Sequence, residues 1–423
     1  MSVLITKGSQ SGFINVPASK SVLHRLLMCA SVSDNELTLL GCSLSDDINA
    51  TLSIIKHWCS VSVDNRTIRI KGHGGVKPSL LPLNAHESGT TLRLLIPLLA
   101  TLEKPVKIKG QGRLLERPLN VYEEIFNKQG LTLIKEKEYV KIQGPLKADT
   151  FNVKGNVSSQ FISGLLLALP LLESDSILKI EEPVVSQGYI NLTLDTLKIF
   201  GIEIEEQSPF TYYIKGHQHY HTEFNTVMCE ADWSQAAPFL VLGTLRGGVY
   251  LTGLNPKSHQ GDKAILKYLT DAGADIGWEE GTIKVNASLI DHFDIDVDAT
   301  PDLAPYLFLL ASLGQNDSHF TGIGRLNDKE SKRLDAMVEM CTTLGAQCKV
   351  TDNLLTIKPV SDKNYLNKTF ALNTYHDHRL VQTAAIASAV SEGIVIDDWE
   401  AINKSYPNFF DDLGILGFQK SKY

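Results

Sequence analysis

Six times along this chain an apolar stretch of helix length opens on a cluster of small or polar residues. The openings are Ser19-Lys20-Ser21, Ser88-Gly89-Thr90-Thr91, Ser158-Ser159-Gln160, Asp232-Trp233-Ser234-Gln235, Thr300-Pro301-Asp302 and His376-Asp377-His378-Arg379. They return at intervals of roughly 70 residues, longer than a solenoid period. A short strand-like run follows each helix, at 37–40, 106–109, 177–180, 249–252, 318–321 and 394–396. Then come a polar loop, a second, amphipathic helix, a glycine and a two-strand hairpin, most clearly over 121–144, 192–216, 265–285 and 337–358. Gly130, Gly201, Gly273 and Gly345 stand where a residue just past a helix end belongs. The copy over 49–72 is weaker and lacks that glycine.

The hairpins end on alternating apolar pairs such as Ile68 and Ile70, Val140 and Ile142, or Ile283 and Val285. The sixth copy stops at Gly417-Phe418-Gln419 without its second strand, and residues 3–8 resemble residues 67–72. Both ends of the chain are therefore expected in one domain. Six helix-and-strand units exceed a single core, and three per domain is the natural division.

The openings have a chemical bias. Pro17 and Ser19 suit a helix start, where unsatisfied backbone N–H groups and the helix dipole favour an anion. If 22–32 is helical, Ser21 and Arg25 share a face. Lys20 and Arg25 make an anion pocket a sharper reading than a plain capped helix. The polar loops before the second helices add Arg113 and Arg117, Ser186 and Tyr189, Gln260-Gly261-Asp262, Lys329-Glu330-Ser331-Lys332-Arg333 and Lys404-Ser405-Tyr406. Singly, each reads as a loop charge or a cap: Glu116-Arg117-Pro118 could be a turn, and Lys329 with Arg333 a surface pair. Scattered surface charge, however, has no reason to keep phase with a repeat.

Composition narrows the classes. The chain has 423 residues, 43% apolar and 21% charged, as an ordinary globular protein does. Its longest apolar run, 165–172, is far too short to cross a bilayer, and the first residues alternate like a strand rather than a signal peptide. Cys29, Cys42, Cys59, Cys229, Cys341 and Cys348 show no CxxC spacing, so buried thiols in a reducing cytosol are expected, not disulfides or metal ligands. A net charge of −8 speaks against general nucleic-acid affinity. Ser88-Gly89-Thr90-Thr91 is no P-loop, because no Gly-Lys-Ser/Thr follows. HExxH, EF-hand and Gly-x-Ser-x-Gly patterns do not occur, and neither a metal nor a cofactor is expected.

The ordered set of motifs resembles the 5-enolpyruvylshikimate-3-phosphate synthases. It runs from Ala18-Ser19-Lys20-Ser21 through Ser88-Gly89-Thr90-Thr91-Leu92-Arg93, Glu116-Arg117-Pro118, Ser158-Ser159-Gln160-Phe161, Gln260-Gly261-Asp262, Pro301-Asp302, Lys329-Glu330-Ser331 and Asp377-His378-Arg379 to Asn403-Lys404-Ser405-Tyr406-Pro407. The resemblance implies an α/β fold: a two-domain inverse α/β barrel (the enolpyruvyl transferase fold) of six βαβαββ repeats, three per domain. It places the crossovers near Ala18 and Glu230, giving one domain of 1–18 with 231–423 and another of 19–230.

It also implies a function, in the shikimate pathway to chorismate and the aromatic amino acids. The enolpyruvyl group of phosphoenolpyruvate would pass to the 5-hydroxyl of shikimate 3-phosphate, with release of phosphate. Lys20, Ser21, Arg25, Ser158, Ser159, Gln160, Ser186, Tyr189, Asp302 and Lys329 would bind shikimate 3-phosphate. Lys20, Gly89, Arg117, Gln160, Arg333, Arg379 and Lys404 would bind phosphoenolpyruvate. Asp302 would be the base on the 5-hydroxyl and Glu330 the group that trades the C3 proton, assisted by Lys20 and Lys404. A cytoplasmic monomer, with no nucleic-acid or membrane partner, is expected.

Three positions depart from the commoner family pattern. Glu87 stands where many members have Asn, Lys332 where Asp is frequent, and Arg325 where Asn often contacts the shikimate phosphate. A direct substrate role for Arg325 is therefore not expected, and Glu87 and Lys332 could alter affinity without altering the reaction. The alternatives are UDP-N-acetylglucosamine enolpyruvyl transferase, RNA 3′-phosphate cyclase-like end processing and an inactive phospho-ligand binder. Against them stand the Ser-Ser-Gln triplet, the acidic balance and the presence of every candidate acid and base.

Overall fold

Strands in this chain carry one apolar face, and its first helices are apolar nearly all round; together these dictate helices inside and sheets outside. The computed structural model describes residues 2–77, 81–156 and 158–423. Contacts divide it into two compact units, Ala18–Glu230 and Met1–Pro17 with Ala231–Tyr423. Ala18 thus falls in the first-named unit, one residue from the expected boundary.

In the Ala18–Glu230 unit the helices are α1 (Lys20–Val32), α2 (Asp46–Ile55), α3 (Gly89–Leu99), α4 (Asn120–Lys128), α5 (Ser159–Ala168) and α6 (Gln187–Ile199). The first helices of the three repeats, α1, α3 and α5, are buried over nearly their whole length and form the middle of the core. Three four-stranded sheets surround them, and their strands alternate between buried and exposed residues, as Val106–Lys109 does.

Each sheet begins with a parallel pair and continues antiparallel, the order expected of a βαβαββ repeat. The first sheet takes its parallel edge strand, Thr226–Met228, from the far end of the unit, so the three repeats close in a ring.

The other unit holds α7 (Trp233–Arg246), α8 (Ile265–Asp271), α9 (Ala304–Leu313), α10 (Arg333–Thr343), α11 (His378–Ala387) and α12 (Phe409–Ile415). Helices α7, α9 and α11 are the buried centre. Val3–Thr6 pairs antiparallel with both Gly393–Ile396 and Gln419–Lys422, supplying the strand that the sixth copy lacks. Gly130, Gly201, Gly273 and Gly345 have φ of 66°, 67°, 100° and 99°, the left-handed backbone that ends their helices without a Cβ penalty.

The helix expected over 22–32 begins two residues earlier, at Lys20, because the Ser19 hydroxyl caps it, accepting from the Val22 N–H at 3.4 Å. Tyr189, read as a loop residue, lies in the first turn of α6. Cys29, Cys42, Cys59, Cys229 and Cys341 are buried free thiols and Cys348 is half-buried. Among the described residues no helix is long and apolar enough to cross a membrane.

Candidate active site

In the Ala18–Glu230 unit the polar groups gather at the helix openings. Lys20, the first residue of α1, donates from Nζ to Asp47 Oδ2 at 2.7 Å; Asp47 sits buried in the first turn of α2. Beneath this pair runs a hydroxyl chain. His24 Nδ1 meets Thr51 Oγ1 at 2.9 Å, Thr51 meets Thr91 Oγ1 at 2.7 Å, and Thr91 donates to Ser88 Oγ at 2.7 Å. Three helices from two repeats are thereby pinned to one another. Burial pushes the His24 imidazole down to about 3, so it is neutral there.

Arg25 does share a face with Ser21, but its guanidinium points inward. It donates from Nε to Thr193 Oγ1 at 2.7 Å, from Nη1 to the Ser21 carbonyl at 2.8 Å, and from Nη2 to Ser163 Oγ at 3.0 Å and the Tyr189 carbonyl at 3.1 Å. One cation thus ties α1 to α5 and to the start of α6. Ser186, just before α6, is held at φ 61°, an uncommon conformation for serine. Held conformations of this kind cluster at functional sites.

Ser158 caps α5, accepting from the Gln160 N–H at 3.4 Å, and Ser159 is buried beside it. The Gln160 amide is fixed at both ends: Arg93 Nη1 donates to its Oε1 at 3.0 Å, and its Nε2 donates to Thr90 Oγ1 at 2.8 Å. Arg93 also reaches the Pro118 carbonyl at 3.2 Å, next to Arg117. The Arg117 guanidinium lies over Gly89, where an added Cβ would sit 2.5 Å from Nη1.

The other unit concentrates charge. Arg333, 1% exposed, donates from Nη1 to Asp302 Oδ1 at 2.7 Å, from Nη2 to Glu330 Oε2 at 3.0 Å and from Nε to Asp377 Oδ2 at 3.0 Å. It is no surface partner of Lys329. Lys329 lies 3.5 Å from Asp302, Arg379 3.5 Å from the other Asp302 oxygen, and Lys404 3.9 Å from Glu330. Burial opposes the Asp302 charge, but Lys329, Arg379 and Arg333 together hold its carboxyl well below the usual carboxylate range. Asp302 keeps 31% of its side-chain surface and Glu330 15%, against 0% for Asp377. Of the carboxylates on Arg333, Asp302 is therefore the most open to a ligand, Glu330 less so and Asp377 not at all.

Asp377 caps α11 by accepting from the Arg379 N–H at 2.9 Å, and also accepts from Ser331 Oγ at 2.9 Å. Asp262 accepts from Ser234 Oγ. Burial and the nearby Asp302 charge push the Asp262 carboxyl up to about 6, against Arg379 and the Ser234 hydrogen bond.

Within this unit the structure thus assembles Asp302, Lys329, Glu330, Arg333, Arg379 and Lys404. Within the other it places Lys20, Ser21, Gly89, Arg117, Ser158, Ser159, Gln160 and Ser186 at the helix openings and the loops before the second helices, with Arg25 a turn further along α1 and Tyr189 in the first turn of α6. Sequence reasoning missed Asp47, Arg93 and Asp377 as partners. The available signal was phase: Asp47 opens the second helix of its repeat, close to where the next repeat supplies Arg117, and Asp377 lies inside a recognised opening. Arg325 is held by Asp298, with Nε 3.0 Å from Oδ1. Lys332 is exposed at the start of α10. A Cβ on Gly112 would lie 2.7 Å from Glu87 Oε1, which places that carboxylate beside the loop before α4.

The sequence profile of the family described as EPSP synthase (3-phosphoshikimate 1-carboxyvinyltransferase) matches residues 5–413. A 3-phosphoshikimate 1-carboxyvinyltransferase of Clostridium kluyveri is 38% identical over 421 residues, covering 98% of this chain and 97% of its own. The solved EPSP synthase of Acinetobacter baumannii superposes over 100% of both chains with a TM-score of 0.80 at 23% identity. The enolpyruvyl transferase NikO of Streptomyces tendae does so over 99% of this chain and 98% of its own, with a TM-score of 0.80 at 14% identity. At those identities the two structures speak to the fold alone.

Proposed function

The chain belongs to the EPSP synthase family, and we propose that it transfers the enolpyruvyl group of phosphoenolpyruvate to the 5-hydroxyl of shikimate 3-phosphate, releasing phosphate. The observation that carries the assignment of roles is the set around Asp302: a partly exposed carboxylate ringed by Lys329, Arg333 and Arg379, with Glu330 and Lys404 beside it.

In this reading Ser158, Ser159 and Ser186 take the 3-phosphate, with Gln160 and Tyr189 against the ring. Ser21 and Arg25 hold the carboxylate, Arg25 by fixing the Ser21 end of α1. Lys329 and Asp302 complete that set. Lys20, Gly89, Arg117, Gln160, Arg333, Arg379 and Lys404 take phosphoenolpyruvate. Arginine suits bidentate capture of its carboxylate and phosphate, and lysine adds compact charge.

Asp302 removes the 5-hydroxyl proton as that oxygen bonds to C2 of phosphoenolpyruvate, while Glu330 delivers a proton to C3. The tetrahedral ketal phosphate then breaks the bond from C2 to the phosphate oxygen and loses a C3 proton, which returns to Glu330; the departing phosphate carries away the proton that Asp302 took from the 5-hydroxyl. Lys20 and Lys404 stabilise charge on the departing phosphate.

Without substrate, three cations keep Asp302 a weak base. A bound polyanion draws the field of those same cations onto itself and raises the basicity of Asp302 toward the range a general base needs. Every step uses side chains alone, with no covalent bond to the protein. Two complete hydrophobic cores within one chain support a working monomer. Free, unbridged cysteines support the cytoplasm as its compartment.

The test is phosphate release from phosphoenolpyruvate with shikimate 3-phosphate or with UDP-N-acetylglucosamine as acceptor. Turnover is expected with the first alone; its absence at every pH would sink the assignment.

A further inference from the structure

We propose that Tyr306 is a positioning residue that aims the Arg379 guanidinium, leaving its Nε and Nη2 edge for a planar anionic group. In the core of the second-described unit, Arg379 Nη1 donates to the Ser234 carbonyl at 3.0 Å and to the Tyr306 hydroxyl oxygen at 3.2 Å. Both of its N–H bonds are spent on groups behind the ion. Arg379 Nη2 has only the 3.5 Å approach to Asp302 Oδ2, and Nε, although buried, has no acceptor among the described residues. A buried arginine N–H without a partner is costly. The two N–H bonds of this edge are parallel, the fork that captures a carboxylate or phosphate in bidentate fashion.

Tyr306 can accept from Arg379 because its own proton is directed elsewhere. Its hydroxyl donates to Gln382 Oε1, and the Gln382 amide is oriented in turn by donating from Nε2 to Gln235 Oε1 at 2.7 Å. Tyr306 and Gln382 are fully buried and Gln235 nearly so. The relay draws on α7, α9 and α11, the first helices of three repeats, and none of its members meets the substrate in the reaction described above. Burial pushes the Tyr306 phenol up to about 12, against the Arg379 charge. The hydroxyl therefore stays protonated and keeps donating to Gln382 throughout the working pH range. A phenylalanine would fill the same space and leave Arg379 Nη1 with the Ser234 carbonyl as its remaining anchor, so the guanidinium is less firmly aimed.

The inference rests on the reading that Arg379 holds phosphoenolpyruvate, and the two can fail separately. In the full-length enzyme, Tyr306→Phe is expected to raise the KM for phosphoenolpyruvate about tenfold. Saturated kcat should stay within about threefold and the calorimetric Kd for shikimate 3-phosphate within about twofold. Gln382→Met, which removes the acceptor of the Tyr306 proton at similar volume, should move the same KM in the same direction, and it serves if Tyr306→Phe folds poorly. In an Arg379→Lys background, Tyr306→Phe should add less than twofold, because the fork it aims is gone.

If Arg379→Lys leaves the phosphoenolpyruvate KM unchanged, the underlying assignment falls and this inference with it. If Arg379→Lys weakens phosphoenolpyruvate but neither Tyr306→Phe nor Gln382→Met does, the assignment stands and the positioning role is overturned. Parallel loss of both substrates together with thermal stability would also overturn it, as the signature of a purely structural residue.

Discussion

Arg333 Nη1 and Asp302 Oδ1 lie 2.7 Å apart, and the same guanidinium holds Glu330 and Asp377. One buried cation therefore sets the position of both carboxylates proposed to move protons. It also accounts for how Asp302 can lie among so many charges without being driven neutral, since Lys329 and Arg379 add to the same field.

Asp302→Asn keeps the hydrogen-bonding outline but cannot take a proton. We expect shikimate 3-phosphate binding to stay within about tenfold while turnover falls by roughly 10²–10⁴-fold. Phosphate-release kinetics with parallel calorimetry would check this, and near-wild-type turnover would place the base elsewhere.

Gly89→Ala puts a methyl group 2.5 Å from Arg117 Nη1. The clash is with the far end of a flexible side chain, so the fold should survive while the guanidinium is displaced. The phosphoenolpyruvate KM should rise by about tenfold or more, with little change in melting temperature or in shikimate 3-phosphate affinity. An unchanged KM would show that Arg117 does not serve phosphoenolpyruvate from this position.

Asp262 makes a pH prediction. Its folded-state pKa, about 6, is above its ordinary value of 3.8. Its stabilising contribution is thus fully present below pH 4 and is lost as pH rises through 6. The change is on the order of 3 kcal/mol at about 1.4 kcal/mol per pKa unit. Asp262→Asn does not titrate, so its stability relative to wild type should improve between pH 4.5 and pH 7.5 in urea unfolding. A gap that moves the other way would refute a raised pKa.

Arg25→Lys replaces a five-donor fork that reaches Thr193, Ser163, Tyr189 and Ser21 with a point charge. A loss of about 2–4 kcal/mol in stability is expected, together with at least tenfold weaker binding of shikimate 3-phosphate. Lost stability with unchanged binding would mark Arg25 as structural only.

Much of this was legible beforehand because repeats and helix openings are local signals. The spacing of apolar runs, the glycines after the second helices and the likeness of residues 3–8 to 67–72 anticipated the six repeats, down to the strand Val3–Thr6 completing the sixth. Most of the candidate site residues stand at an opening or in the loop before a second helix, so phase marked their positions; their roles came from the resemblance of the ordered motifs.

Direction and partnership were not legible. Whether Arg25 faces outward or inward depends on Thr193 and Ser163, which lie 168 and 138 residues away along the chain. The neutrality of His24, the ionisation of Asp302 and the raised pKa of Asp262 follow from burial and the summed field of neighbours. Nothing in the sequence singles out Tyr306 within its apolar helix; its role follows from the place of its hydroxyl between Arg379 and Gln382. The sequence by itself determined the repeat, the class of elements and the inventory of charges, because periodicity and composition act over a few residues at a time. Only the tertiary structure decided which charges meet and which hydroxyls orient them, because hydrogen bonding and desolvation depend on distances of a few ångströms between residues far apart in the chain.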